Sequence, residues 1–204
     1  MKDPRLVKLA EVLVNYSVSV KPGDWVVIQG DILTAPMVDE IYRLILEAGG
    51  HPNAQFNNAR MSEIFYQTAN EDQLTWISPF TELVYGEVDV VISLMGTENT
   101  RNLTGVDPAK IGKAQAARGE LFTRFMKRSA EGTVRWVGAM YPNNAHAQEA
   151  DMSLSDYADF VYSATFADRE DPVAEWQGFH KRQQVIVDWL EGKKELTAQG
   201  PHID

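Results

Sequence analysis

Three short, almost uninterrupted apolar runs decide what this chain can become. Residues 25–28 read WVVI, residues 88–95 read VDVVISLM and residues 134–139 read VRWVGA. A strand with one wet face alternates polar and apolar side chains. A run with no wet face suits a parallel strand covered on both sides. Around these runs, apolar residues recur at helical spacing: Leu6, Leu9, Leu13 and Val14 before the first, then Val38, Ile41, Leu44 and Ile45. Residues 108–130 carry a third stripe of Ile111, Ala114, Leu121, Phe122 and Phe125. Strands alternating with helices predict an α/β fold: an open, mostly parallel sheet in a three-layer sandwich with helices on both faces.

Local signals punctuate that pattern. Asp3 stands where an N-cap would, with Pro4 at the first helical position. Lys21-Pro22-Gly23-Asp24 reads as a turn, and Gly49-Gly50 closes the second helix, where left-handed backbone is cheap for glycine. Residues 51–56 read as a short strand that Pro52 places at a sheet edge or strand start. Helical stretches over 62–69 and 71–77 are broken by Pro79. A polar loop spans 97–107, and 108–130 reads as one long helix. An irregular stretch covers 141–151, a helix begins near Ser153, and a final helix runs over 172–190, entered through Asp171-Pro172. Residues 195–199 read as a last strand or a crossing into another domain. The first plausible boundary is Gly192-Lys193-Lys194-Glu195, which predicts one domain over 1–192 and a tail over 193–204.

Composition excludes several function classes. The 204 residues are 44% hydrophobic and 24% charged, as in an ordinary globular domain, and no apolar run approaches the roughly 20 residues needed to span a bilayer. No charged-then-apolar leader precedes the first helix, so a secretory signal is not expected. With a net charge of −10 the surface repels phosphate backbones, which argues against nucleic acid. There is no cysteine, hence no disulfide, thiol catalysis or zinc-thiolate site.

Motifs for common chemistries are absent. The histidines are His51, His146, His180 and His202, with no H-E-x-x-H and no i, i+4 pair. The ligand-like pairs are His146 with Glu149 and His202 with Asp204, too few for a two-metal hydrolytic site. QGDILTAP, which follows the first apolar run, makes a poor phosphate cradle. No G-x-S-x-G elbow occurs, and Ser93 lies inside a strand pattern, where a small packed residue is expected. Two polar loops follow strand ends, the edge where open α/β sheets place ligands. They hold Asn99 and Arg101 in one, and Asn143, His146 and Gln148 in the other, and are candidates to face a cleft or a neighbouring domain. The basic residues of 108–130, among them Lys127 and Arg128, read as a solvated face suited to a helix C-terminus. Trp176, Phe179 and Trp189 on the last helix are candidate interface residues.

Several longer strings carry a resemblance. YPNNAHAQEADMSLSDYADFVY (141–162), DPVAEWQ (171–177), DPRLVKLAEVLVNYSVSVKPGD (3–24) and NTRNLTGVDPAK (99–110) resemble passages of the thermophilic metalloprotease family, aminopeptidases of the S, T and leucyl types. Such enzymes are about twice this length, and their carboxylate and histidine ligands lie in the half that would follow Asp204. The resemblance implies a cytoplasmic, homodimeric exopeptidase that uses a divalent metal pair (zinc, cobalt or similar) on short peptides with a free amino terminus. It implies for this chain the amino-terminal scaffold and enclosure, without catalytic residues, metal ligands or cofactor of its own, beside an absent carboxy-terminal catalytic domain. Two other readings stay open: a stand-alone binding or dimerisation domain, and a small nucleotide- or sugar-binding α/β enzyme.

Overall fold

A computed structural model describes residues 3–197 and 199–201. The expected strands form one parallel sheet of four: β1 (Trp25–Asp31), β2 (His51–Asn57), β3 (Val90–Met95) and β4 (Arg135–Met140), in the order β2-β1-β3-β4. Successive residues of the apolar runs feed opposite layers. Val26, Ile28, Val90, Ile92, Leu94 and Ala139 meet α1 (Pro4–Glu11), α2 (Ala35–Glu47) and Tyr162 of α9 (Leu154–Ala164). Val27 and Val91 turn the other way, onto Val84 of α5 (Pro79–Gly86) and Phe125 of α7 (Gly119–Ala130). Both layers of the sandwich are therefore filled from a few residues per strand, each fully buried side chain contributing about 1.5–3 kcal/mol. The edge strands are the exceptions: β2 is exposed along nearly its whole length, and β4 fully buries only Ala139.

The caps explain the helix starts. Asp3 Oδ1 accepts the Arg5 amide at 2.9 Å, and Arg5 reaches on to Asp159 of α9, which pins the first helix to the ninth. After Glu11 the helix widens into a π-helical turn, Val12–Ser17, whose Val12, Leu13 and Val14 stay buried. Gly49 takes φ +81, the left-handed conformation that lets α2 end.

Four expectations need correction. Pro79 opens a helix rather than only breaking one: Ser78 Oγ accepts the Thr81 amide at 3.1 Å, and Pro79 fills the position where no amide hydrogen is needed. The stretch 108–130 is two helices, α6 (Pro108–Ala117) and α7, parted at Arg118. There Gly119, a poor helix former, follows a residue whose amide turns back to Gln115 O, and Arg118 Nη1 donates to Ala114 O. Of the stretch 195–199, residue 198 lies outside the described residues and the others form no strand, so α10 (Pro172–Leu190) is the last helix among the described residues. The basic residues of α6 and α7 divide: Arg124 and Lys127 stay on a solvated face, with Lys127 and Arg128 in the last turn as expected, while others serve as braces. Lys110 Nζ donates to Tyr66 O of α3 (Ala59–Thr68), and Lys113 pairs with Glu71 of α4 (Glu71–Thr75). Arg128 donates to Tyr85 O, Val88 O and Thr133 O at 3.2, 2.8 and 3.1 Å, which joins α5, the entry to β3 and the entry to β4.

The last helix has two different halves. Trp176 Nε1 donates to Thr165 O at 3.0 Å, and the Trp176 and Phe179 rings pack around Phe166. Beyond them Val185, Ile186, Val187 and Trp189 are all exposed, Trp189 at 62%. The proposed interface set is thus split: two aromatic residues are absorbed by this domain and one stands bare.

Candidate functional site

The sheet's connections diverge in its middle. The path from β1 leads to β2 on one side, while β3 leads to β4 on the other, so a crevice opens where the ends of β1 and β3 part. A tight turn closes β1: Asp31 Oδ1 accepts the Leu33 amide at 3.0 Å, and Thr34 Oγ1 donates to Asp31 O at 2.7 Å, both residues buried. Gly96, just past β3, lies against that turn. A Cβ there would come to 3.0 Å from Leu33 Cδ1 and Thr34 Cγ2, so only glycine lets the two loops meet unstrained. A buried carboxylate at the end of β1 is the wrong charge for a phosphate cradle, which removes support from the nucleotide reading.

The second loop contains a short helix, α8 (Asn144–Glu149), inside the stretch expected to be irregular. Asn143 builds it. Its Oδ1 accepts the His146 amide at 3.1 Å, and its Nδ2 donates to Tyr141 O at 2.8 Å. The His146 ring rests on the same amide, Nδ1 lying 2.8 Å from Asn143 Nδ2 and 3.0 Å from Oδ1. Asn143 is therefore a buried cap and ring holder, and His146 is a half-buried ring fixed through Nδ1.

The two loops expected to border a cleft do come together. Thr100 Oγ1 donates to Glu149 Oε1 at 2.8 Å, and Arg101 Nε donates to the same oxygen at 3.2 Å. Asn99 supports the turn by accepting the Arg101 amide on Oδ1 at 2.9 Å. Arg101 foremost, and then Thr100, hold the Glu149 carboxyl below the usual carboxylate range, and Glu149 raises the Arg101 guanidinium in return. Asn99, Arg101, Gln148 and Glu149 line a polar crevice of about 450 Å³. A second crevice of about 400 Å³ adjoins it through Glu98 and Ala145 and reaches Leu33, Asn143 and Tyr141, whose phenol is pushed up by burial.

Sequence reasoning assigned Asn99, Arg101, Asn143, His146 and Gln148: Asn99, Arg101 and Gln148 line the first crevice, Asn143 lines the adjoining one, and His146 lines neither, its ring being held on Asn143. The same reasoning missed Thr100, Asp151 and Leu33. Thr100 carries no signal beyond a hydroxyl in a polar loop, and Leu33 is an apolar residue in a turn. His146 and Glu149 are neighbours on α8, yet among the described residues no group of three or more His, Asp or Glu side chains converges on a point. The pair His202 and Asp204 lies outside the described residues. The described residues alone do not supply the ligand set of a two-metal centre. An apolar groove of about 510 Å³ between α3 and α4, at Ile64, Phe65 and Trp76, has Thr68 and Asp72 in its lining but no histidine or second carboxylate beside them.

The chain has known relatives. It is 24% identical over 211 residues to aminopeptidase 2 of Geobacillus stearothermophilus, a match covering 98% of this chain and 51% of that protein. It is 22% identical over 217 residues to aminopeptidase T of Thermus thermophilus, covering 98% and 52% respectively. The chain thus spans about half the length of these relatives. The solved structure of wild-type AmpT from Thermus thermophilus superposes with a TM-score of 0.71 at 18% identity, covering 91% of this chain and 48% of that one, a likeness of fold. The sequence profile of the thermophilic metalloprotease (M29) family matches residues 2–204, and the chain belongs to that family.

Proposed function

We propose that this chain, with residues 1–192 as its domain and 193–204 as a tail, is the amino-terminal part of a metal-dependent aminopeptidase that removes the first residue from short peptides. One observation carries the reading: the match runs through the whole chain, yet spans only about half the length of relatives that are themselves aminopeptidases. A divalent pair such as zinc or cobalt, held by a carboxy-terminal half, would activate water and polarise the scissile carbonyl. The part played by this chain is scaffold and enclosure. The crevice edge at Asn99, Arg101, Asn143 and Gln148, with His146 held on Asn143, borders the substrate space, and the exposed turn at Trp189 meets the carboxy-terminal half or a second subunit of a cytoplasmic homodimer. That exposed apolar turn also favours a second reading, a domain whose own task is association.

The test is reconstitution. The 204-residue chain alone should release no product from aminoacyl anilides or dipeptides with zinc or cobalt present. The same chain continued through, or co-expressed with, a carboxy-terminal half should gain metal binding and cleavage together. Strong metal-dependent turnover by the chain alone, abolished by His146→Ala or Glu149→Gln, would overturn the assignment.

A further inference from the structure

Away from the strand-end crevices, the sheet face beneath α5 and α7 holds a further cavity. Those helices cover the row of Val27 and Val91. The next outward-facing row toward the carboxyl ends is Gln55, Gln29, Ser93 and Gly138, adjacent in register across all four strands. A parallel sheet ordinarily presents apolar side chains here, because both of its faces are covered. Over Gln29 and Ser93 lies a cavity of about 100 Å³, walled by Tyr85, Phe125 and Trp136, with Phe122 at its rim. Its volume is about two-thirds of the ~150 Å³ apolar cavity known to take up benzene, and one side is open.

The floor and walls are specified separately. Gln29 Nε2 donates to Gln55 Oε1 at 2.9 Å, which leaves Gln29 Oε1 as an acceptor with no protein partner among the described residues. Ser93 Oγ also has none. The walls are held in place beforehand: Tyr85 and Phe125 meet edge to face at 5.4 Å, and Trp136 Nε1 donates to Ser129 Oγ at 3.1 Å. Preformed walls lower the ordering loss on binding. No lining side chain is charged, so an ionic ligand would shed its hydration without compensation. Apolar walls with a few convergent polar groups are the usual make-up of a small-ligand site.

We propose that this cavity binds one uncharged aromatic ring bearing a hydroxyl, a phenol, whose O–H donates to Gln29 Oε1 while its oxygen accepts from Ser93. The site is independent of the peptidase assignment, since it uses none of the crevice residues. A phenol can come from a free small molecule or from a tyrosine side chain on another polypeptide surface. Both present the same group to the floor.

The test is titration of the purified chain with p-cresol, toluene, 4-hydroxybenzoate and N-acetyltyrosinamide, followed by ligand-observed NMR and calorimetry. p-Cresol should saturate with a dissociation constant on the order of 1 mM or tighter. Toluene should bind roughly fivefold more weakly, because it leaves both floor groups unpaired, and 4-hydroxybenzoate should not bind. Ser93→Ala should weaken p-cresol by roughly 2- to 10-fold while leaving toluene within about twofold of its starting value. Its thermal transition serves as the check on folding. N-Acetyltyrosinamide binding tighter than p-cresol identifies a polypeptide source, and weaker binding a free phenol. No saturable p-cresol binding, equal affinities for p-cresol and toluene, or p-cresol binding untouched by Ser93→Ala would each overturn the proposal.

Discussion

Arg128 offers a sharp check on how the second helical layer is fixed to the sheet. Its guanidinium serves three carbonyls on three separate segments, those of Tyr85, Val88 and Thr133. Val88 is fully buried, and its carbonyl takes the shortest of the three bonds at 2.8 Å. A hydrogen bond from a charged donor to a buried partner contributes about 1.5 kcal/mol or more, and the two wetter bonds about 0.5–1 kcal/mol each. Arg128→Ala is therefore expected to destabilise the fold by about 3 kcal/mol. For a chain of this size, that lowers the melting temperature by roughly 6–12 °C. Arg128→Lys should recover only about a third, since one ammonium cannot reach three carbonyls with the fixed fork of a guanidinium. Urea and thermal unfolding followed by circular dichroism would measure both variants. A loss below about 1 kcal/mol for alanine, or full stability for lysine, would refute the brace.

Two further perturbations have defined outcomes. Burial foremost, with a smaller contribution from Asp3, raises the Tyr162 phenol to about 12. An unfolded tyrosine ionises near 10, so this stabilising contribution is whole below pH 10 and is lost as pH rises toward 12, about 2–3 kcal/mol in all. Tyr162→Phe should flatten stability across that window, as read by urea midpoints at stepped pH. Asn143→Ala should lose the cap of α8, about 1 kcal/mol, and release the His146 ring. Amide exchange over 144–149 should quicken, and the His146 ring resonances should shift in NMR; an unchanged ring would count against the dyad.

The centre of the sheet was legible because β1 and β3 are buried on both sides, and such runs survive with no knowledge of partners. WVVI and VDVVISLM could hardly be anything else. Helix starts were legible where a cap and a proline coincide, as at Asp3-Pro4 and Asp171-Pro172. The errors have local causes. Pro79 looks the same as breaker and as starter until Ser78 is seen to cap the turn. The break at Arg118 lies within an unbroken apolar stripe, so periodicity runs straight through it. The α8 helix is only six residues long and hangs on a single asparagine. At the site, the two loops could be placed at strand ends from their order alone. Their meeting through Glu149 depends on β3 and β4 being neighbours, which sequence spacing does not state. The same holds for Arg128, whose partners lie about 40 residues away for Tyr85 and Val88 but only five for Thr133. The mixed exposure of Trp176, Phe179 and Trp189 followed from Phe166, a residue in a connecting turn with no periodic signal.

The central position of β1 has a consequence for synthesis. Its residue Val26 pairs with Pro52 on one side and with Val90 on the other. At roughly 5–20 residues per second, β3 leaves the ribosome several seconds after β1, and through that interval one flank of Val26-Val27-Ile28 has open amides and carbonyls. Bare strand edges with β-branched side chains are templates for pairing with other nascent chains. Yield during expression should therefore depend on how long this strand waits, with slower elongation through residues 58–89 or a shortage of chaperones driving material into aggregates while the finished domain stays as stable as before.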